Sequence, residues 1–145
     1  MILAVTGHRP QRLKNQESLI KKWAINQLKI LKPDKVYIGM AQGADQIIGL
    51  AAKELKISLV CCYAYPKKYF HPIEEYLMEN NEVIFVSPKY SKQSYIIRDF
   101  FMVDSADILL CVWDGIGGGG TFITRNYAIS KGKNIIDYGG LMAHD

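Results

Sequence analysis

The fold class predicted by the sequence is α/β: a doubly wound three-layer sandwich around a mostly parallel sheet of about six strands. Two observations carry this. Short apolar runs rich in β-branched residues alternate with longer amphipathic segments, the pattern of βαβ units around a buried parallel sheet. No linker-like stretch, low-complexity tract or internal repeat interrupts the alternation across the 145 residues, so one domain covering residues 1–145 is expected.

The strands are expected at Ile2 to Thr6, Lys35 to Gly39, Ser58 to Ala64, Glu82 to Ser87, Asp107 to Trp113 and Asn134 to Tyr138. Between the first two, Leu19, Ile20, Trp23, Ala24, Leu28 and Leu31 recur at three- and four-residue steps, which predicts a helix over about 16–32 with one apolar face. Pro33 ends it. Ala44 to Lys56 is the second helix, with Ile47, Ile48, Ala51, Ala52 and Leu55 as its stripe and Asp45 in its first turn. A short third helix opens on Pro72, an acceptable first-turn proline, and runs to Met78. The fourth, Gln93 to Ser105, is apolar over a broad arc and predicts deep burial. The fifth, Gly120 to Ser130, is followed by Gly132, which suits a left-handed C-terminal cap.

Composition excludes several function classes. Apolar residues make up 49% and charged residues 22%, far from disordered or fibrous chains. The net charge of +4 is dispersed, which favours an anionic ligand without marking a dedicated nucleic-acid binder. Cys61, Cys62 and Cys111 fall inside strand-like apolar runs with no CxxC spacing, as small core residues of a reducing compartment do. The opening MILAVTGHRP has neither a basic leader nor a sustained apolar region, so no membrane span is expected and the location expected is cytoplasmic. His8, His71 and His144 lack metal-ligand spacing, and no GxSxG elbow is present. Neither a metal nor a resident cofactor is expected.

Right-handed crossovers place every strand-to-helix loop on one edge of the sheet, where ligands of such folds sit. That edge collects the unusual motifs. After the first strand come Thr6, Gly7, His8 and Arg9: a glycine that admits close approach to the backbone, and a planar, permanently charged fork suited to phosphate. His8 serves either as a hydrogen-bonding structural residue or as a ligand or catalytic group. After the second strand, Gly39-Met40-Ala41-Gln42-Gly43-Ala44-Asp45 leads into a helix N-terminus, whose unpaired amides make an anion cradle. It is neither a GxGxxG fingerprint nor a GxxxxGK[ST] loop. Asp45 either caps the helix or binds a sugar hydroxyl, and Gln42 is a candidate reader of a base or amide edge.

The most distinctive stretch is Trp113-Asp114-Gly115-Ile116-Gly117-Gly118-Gly119-Gly120-Thr121. Four consecutive glycines carry a large entropy cost, and close approach by a ligand explains them better than a permissive turn. Thr121 can donate to phosphate or cap the helix. Asp114 can accept from ribose hydroxyls, act in acid/base chemistry or simply form the turn. Arg98, in an otherwise apolar helix, needs a partner: Asp99, Asp104 or a bound phosphate. Tyr63, Tyr65, Tyr69 and Phe70 either wall a base-binding pocket or belong to the core or an interface, and the aromatic segment from Tyr63 to Tyr76 leaves open a third function, that of a protein-interaction module.

The set TGHRP, GMAQGAD, RDFFMVDSAD and VWDGIGGGGT, in this order, resembles the SLOG superfamily of Rossmann-like domains, and within it the small YpsA/YoqJ-like bacterial and phage proteins. The resemblance runs from Met1 to about Tyr138. It implies a nucleotide-like small molecule bound by the loops just described, in a noncatalytic sensor or sequestering protein, and a homodimer. The superfamily also contains phosphoribohydrolases that cut a nucleotide N-glycosidic bond, and a single-stranded DNA-binding branch. The hydrolase signature PGGxGTxxE is matched here at Gly117, Gly118, Gly120 and Thr121. Ile116 replaces its proline, and Thr124 stands where its catalytic glutamate is expected. Hydrolysis therefore requires a substitute carboxylate, Asp45 or Asp114. Asp99 stands where YpsA-like proteins commonly carry asparagine, which implies a different ligand preference.

Overall fold

A computed structural model describes residues 1–142, so His144 lies outside the described residues. The chain runs β1 (Ile2–Gly7), α1 (Glu17–Leu31), β2 (Lys35–Ile38), α2 (Ala44–Glu54), β3 (Ser58–Tyr63), α3 (Pro72–Met78), β4 (Glu82–Phe85), α4 (Ser94–Ser105), β5 (Ile108–Val112), α5 (Gly119–Ser130) and β6 (Asn134–Asp137). Single 3-10 turns at Pro10–Arg12 and Gly139–Leu141 complete it. The six strands form one sheet in the order β4-β3-β2-β1-β5-β6, and every pairing is parallel.

Both faces are covered because successive side chains on each strand serve different layers. Leu3, Val5, Val36, Ile38, Leu59, Cys61, Leu110 and Val112 pack with α1, α2 and α3. Ala4, Val60, Cys62 and Leu109 pack with Met102, Val103 and Ala128 of α4 and α5. All three cysteines are free and buried. The strands are apolar on both faces and read as continuous runs, as the sequence pattern required.

The chain winds outward from β1 through β2 and β3 to β4, then returns to place β5 on the other side of β1. Loops leaving β1 and β5 therefore diverge to opposite faces, which opens a crevice between them at the C-terminal edge. No helix among the described residues is long and apolar enough to cross a membrane.

Two glycines fix that edge. A Cβ on Gly7 would stand 2.4 Å from Ala44 Cβ and 2.9 Å from Val112 Cβ. One on Gly43, whose φ is +97°, would stand 2.5 Å from the His8 carbonyl oxygen. The backbone of the first loop thus lies directly on the start of α2, and Ala44 N–H donates to His8 O at 3.1 Å. Sequence reasoning expected close approach by a ligand at these glycines; at Gly43 the close neighbour is the backbone of the first loop, while Gly7, packed against the Ala44 and Val112 side chains, also lines the cavity described below. Gly43→Ala should cost more than about 2 kcal/mol in urea unfolding, because it combines a disfavoured backbone region with a backbone clash. A loss under about 0.5 kcal/mol would show that this contact does not set the edge.

Candidate functional site

At the crevice lies a cavity of about 400 Å³, lined by Thr6, Gly7, His8, Arg9, Gln11 and Arg12 from the first loop, Ala41 and Asp45 from the second, Tyr95, Arg98 and Asp99 from α4, and Gly120 and Thr121 from α5, with Val5 below. Its electrostatics come from two sources. The first is the amino end of α5. Gly118 is its N-cap residue, at φ +85° and ψ 160°, a conformation essentially reserved for glycine, and no side chain caps it. A Cβ at Gly118 or Gly120 would meet nothing within 4 Å, so no protein side chain crowds the start of α5 at these two residues. The partial positive charge of the first-turn amides favours an anion.

The second source is arginine. Arg9 is exposed, and no carboxylate among the described residues lies within 4.0 Å of it. Arg98 is held rigidly: its Nη1 donates to the Gly39 carbonyl at 2.8 Å and its Nε to Asp99 Oδ1 at 3.0 Å, with the guanidinium over the Tyr95 ring at 5.4 Å. Of the partners open to Arg98 in the sequence, Asp99 is the one engaged; Asp104 accepts instead from the Tyr127 hydroxyl at 2.8 Å. Gly39 is tightly enclosed, since a Cβ there would meet Asp45 Oδ2 at 3.0 Å and Arg98 Cζ at 3.1 Å and those side chains would have to give way.

Three carboxylates surround this cationic centre, and their environments differ. Burial pushes the Asp45 carboxyl up to about 6, against the pull of Arg98, while Ala41 N–H donates to its Oδ2 at 3.3 Å. Burial also raises Asp99, outweighing Arg98 and the Thr124 hydroxyl, which lies 3.2 Å from Asp99 Oδ2 and 2.7 Å from the Gly120 carbonyl. Asp114 goes the other way. Burial acts to raise it, but hydrogen bonds from Ile116 N–H and Arg12, with His8, hold it below the usual carboxylate value. Arg12 grips it with Nε at 2.9 Å and Nη2 at 2.7 Å. Burial first, and then the Arg12 charge, lowers the His8 pKa. His8 Nε2 lies 3.2 Å from the Asp114 backbone N–H, which it accepts when neutral, and 3.1 Å from Asp114 Oδ1, and so joins the first loop to the last.

Of the residues singled out from sequence, Thr6, Gly7, His8, Arg9, Asp45, Arg98, Gly120 and Thr121 line the cavity. Gly39 lines a smaller neighbouring one. Gln42 is exposed and lines neither; Gly43 is buried under the first loop. Asp114 is 6% exposed, pairs with Arg12 and His8 of the cavity wall, and does not itself line the cavity. Gly117, Gly118 and Gly119 shape the entry to α5 without lining the cavity wall. Thr121 lies past the N-cap and makes no capping bond. Sequence reasoning missed Gln11, Arg12 and Tyr95. The last two had a signal, since Arg12 follows Arg9 and Tyr95 precedes Arg98 by three residues, which places each pair on one side of a helical turn. Of the aromatic group, Tyr69 is 87% exposed, Phe70 packs edge-on to Tyr63, and only Tyr63 and Tyr65 reach a cavity.

No family model matches the chain, and no curated protein matches it. Solved structures do. DNA processing protein A from Streptococcus pneumoniae superposes with a TM-score of 0.65 at 20% identity over 93% of this chain and 49% of that one. The molybdenum cofactor carrier protein from Chlamydomonas reinhardtii gives 0.66 at 14% identity over 94% and 74%. The structural-genomics target TM1055 gives 0.63 at 17% identity over 92% and 71%. This chain spans about half the length of the first. At these identities the likeness establishes a shared Rossmann-like α/β fold.

The raised Asp45 carboxyl makes stability depend on pH. With its folded pKa above the unfolded value, its contribution is complete below about pH 4 and is lost as pH rises through about 6. Between about pH 4.5 and pH 7.5 the wild type should lose roughly 2 kcal/mol relative to Asp45→Asn in urea unfolding. A constant difference between the two proteins would refute the burial of this carboxylate.

Proposed function

We propose that the protein belongs to the SLOG superfamily, near its YpsA/YoqJ-like members, and binds a nucleotide or nucleotide-derived small molecule at the C-terminal edge of its sheet. ADP-ribose or NAD-related compounds and nucleoside monophosphates are the candidate ligands, and the role is that of a sensor or sequestering protein. One observation carries this reading: Gly120 and Thr121, in the first turn of α5, line the same cavity as Arg98 and the unpaired Arg9, and no side chain caps that helix. Helix amides and a guanidinium fork recognise phosphate by direct hydrogen bonds in a partly desolvated site. The volume of about 400 Å³ lies in the range of small-molecule sites. The carrier protein that shares the fold is named for a cofactor it carries, in keeping with a small-molecule cargo.

A nucleic-acid strand presents the same phosphates, and another fold neighbour, DNA processing protein A from Helicobacter pylori, binds single-stranded DNA. The mild, dispersed charge of this chain favours the small molecule.

A second reading, hydrolysis of a nucleotide N-glycosidic bond, is favoured by one feature. Asp45 and Asp99 both line the cavity with raised carboxyl pKa values. A carboxyl near 6 suits protonation of a departing base, and a second carboxylate suits an oxocarbenium-like centre. Asp99 Oδ2 lies 3.2 Å from the Thr124 hydroxyl, whose shorter acceptor is the Gly120 carbonyl at 2.7 Å, so α4 supplies a carboxylate beside the position where the related hydrolases carry their glutamate. Asp114, tied to Arg12, does not serve.

Thermal shift and calorimetry with ADP-ribose, NAD, the nucleoside monophosphates and a short single-stranded oligonucleotide test the binding reading. A small molecule should raise the melting temperature, since it binds only the folded state. Gly120→Val fills open space and Arg9→Ala removes an exposed fork; each should weaken binding by about tenfold or more while the ligand-free melting temperature holds. No shift with any compound would sink the proposal, and a shift with the oligonucleotide alone would replace the small molecule by DNA. For the second reading, chromatography should detect free base from at least one nucleotide, with release lost in Asp99→Asn. No release from any nucleotide excludes turnover.

A further inference from the structure

A second cavity of about 200 Å³ adjoins the first, and Arg9, Ala41, Tyr95 and Arg98 line both. We infer that the two cavities form one bipartite site, in which the second lobe takes the planar base of the same nucleotide whose phosphate lies at the amino end of α5. This rests on the phosphate-binding reading above. Alone, the second lobe is below the usual size of a small-molecule site, so it suits a part of a ligand better than a whole one.

The chemistry of the lobe selects a planar, uncharged group. Its walls include Tyr63, Tyr65 and Tyr95. Tyr65 is braced edge-on to Tyr90 at 5.4 Å and to Tyr95 at 5.9 Å, and its hydroxyl lies 3.2 Å from the Tyr95 hydroxyl. Rings already held this way lose little freedom when they stack on a base. The one cation that belongs to this lobe alone, Lys67, is taken by Glu74 at 2.7 Å, and Glu74 also accepts the Tyr63 hydroxyl at 3.0 Å. That saturated set has no free charge with which to hold a second phosphate. Among the described residues of this lobe, the other cations stand at the shared waist: Arg9, with no carboxylate partner, and Arg98, held by Gly39 and Asp99.

The backbone at the waist is strained. Met40, 4% exposed, has φ +65°, a region that disfavours an unbranched side chain by about 1 kcal/mol or more. Its neighbours Gly39 and Ala41 line the cavities, and the Gly39 carbonyl anchors Arg98. The strain thus sits where the floor of one lobe passes into the other.

Calorimetry of nucleoside monophosphates against ribose 5-phosphate separates the lobes. For the tightest-binding monophosphate, Tyr65→Ala should weaken affinity by about tenfold, leave ribose 5-phosphate within about twofold, and be rescued by Tyr65→Phe, which keeps the stacking face. Circular dichroism of the partly exposed Tyr65→Ala variant confirms folding. Equal losses for both ligands, no loss for either, or a monophosphate that binds the wild type no tighter than ribose 5-phosphate overturns the second lobe while the phosphate site stands. If neither ligand binds the wild type, the phosphate site falls, and the second lobe with it.

Discussion

The seating of the first loop on the start of α2 is the constraint on which the rest of the edge depends. Ala44 N–H meets the His8 carbonyl, the absence of a side chain at Gly43 lets two backbones touch, and its absence at Gly7 makes room for the Ala44 and Val112 side chains. From this contact follow the direction in which Arg9 leaves the sheet and the placement of Asp45 in the first turn of α2. His8 then extends the lock across the crevice by accepting the Asp114 amide, and Arg12 closes it by gripping the Asp114 carboxylate. Three loops from distant parts of the chain are held by hydrogen bonds that use few of the groups facing the cavity. What is left uncommitted there is the amino end of α5 and the Arg9 guanidinium.

The balance of charge in the cavity has a consequence for any anion that enters. Asp45 and Asp99 sit near Arg98 and are themselves poorly solvated, so each holds its proton more tightly than an exposed aspartate. An incoming phosphate adds negative charge to the same space and favours proton uptake by Asp45, whose pKa near 6 lies within reach of neutrality. Affinity for the anion and protonation of Asp45 are therefore linked, each strengthening the other.

Much of the fold was legible because a parallel sheet buried on both faces leaves an unmistakable alternation of apolar runs and amphipathic helices. The strand starts at Lys35, Ser58, Glu82 and Asn134 coincide with those expected. Strand ends were less legible: Gly39, Ala64 and Trp113 continue apolar runs in sequence, yet the strands stop short of them as the chain bends into the ligand edge. The helix over 16–32 ends one residue early because Lys32 adopts a left-handed cap at φ 47°. In the site, the glycine loops and Arg98 were visible from residue type alone. The role of Asp114 was not, since its partner Arg12 is 102 residues away and nothing local marks an aspartate as already neutralised. Nor does the sequence distinguish a glycine that admits a ligand, such as Gly120, from one that admits the protein's own backbone, such as Gly43.

The central claim is a location: an anionic ligand held between the first turn of α5 and the two arginines. A two-dimensional amide NMR titration with a nucleoside monophosphate reads that location residue by residue. Saturable shifts should concentrate at Gly118, Gly119, Gly120 and Thr121 and at the side-chain Nε–H groups of Arg9 and Arg98. Shifts confined to exposed lysines on other faces, such as Lys29 and Lys32, with the α5 amides unmoved, would contradict it.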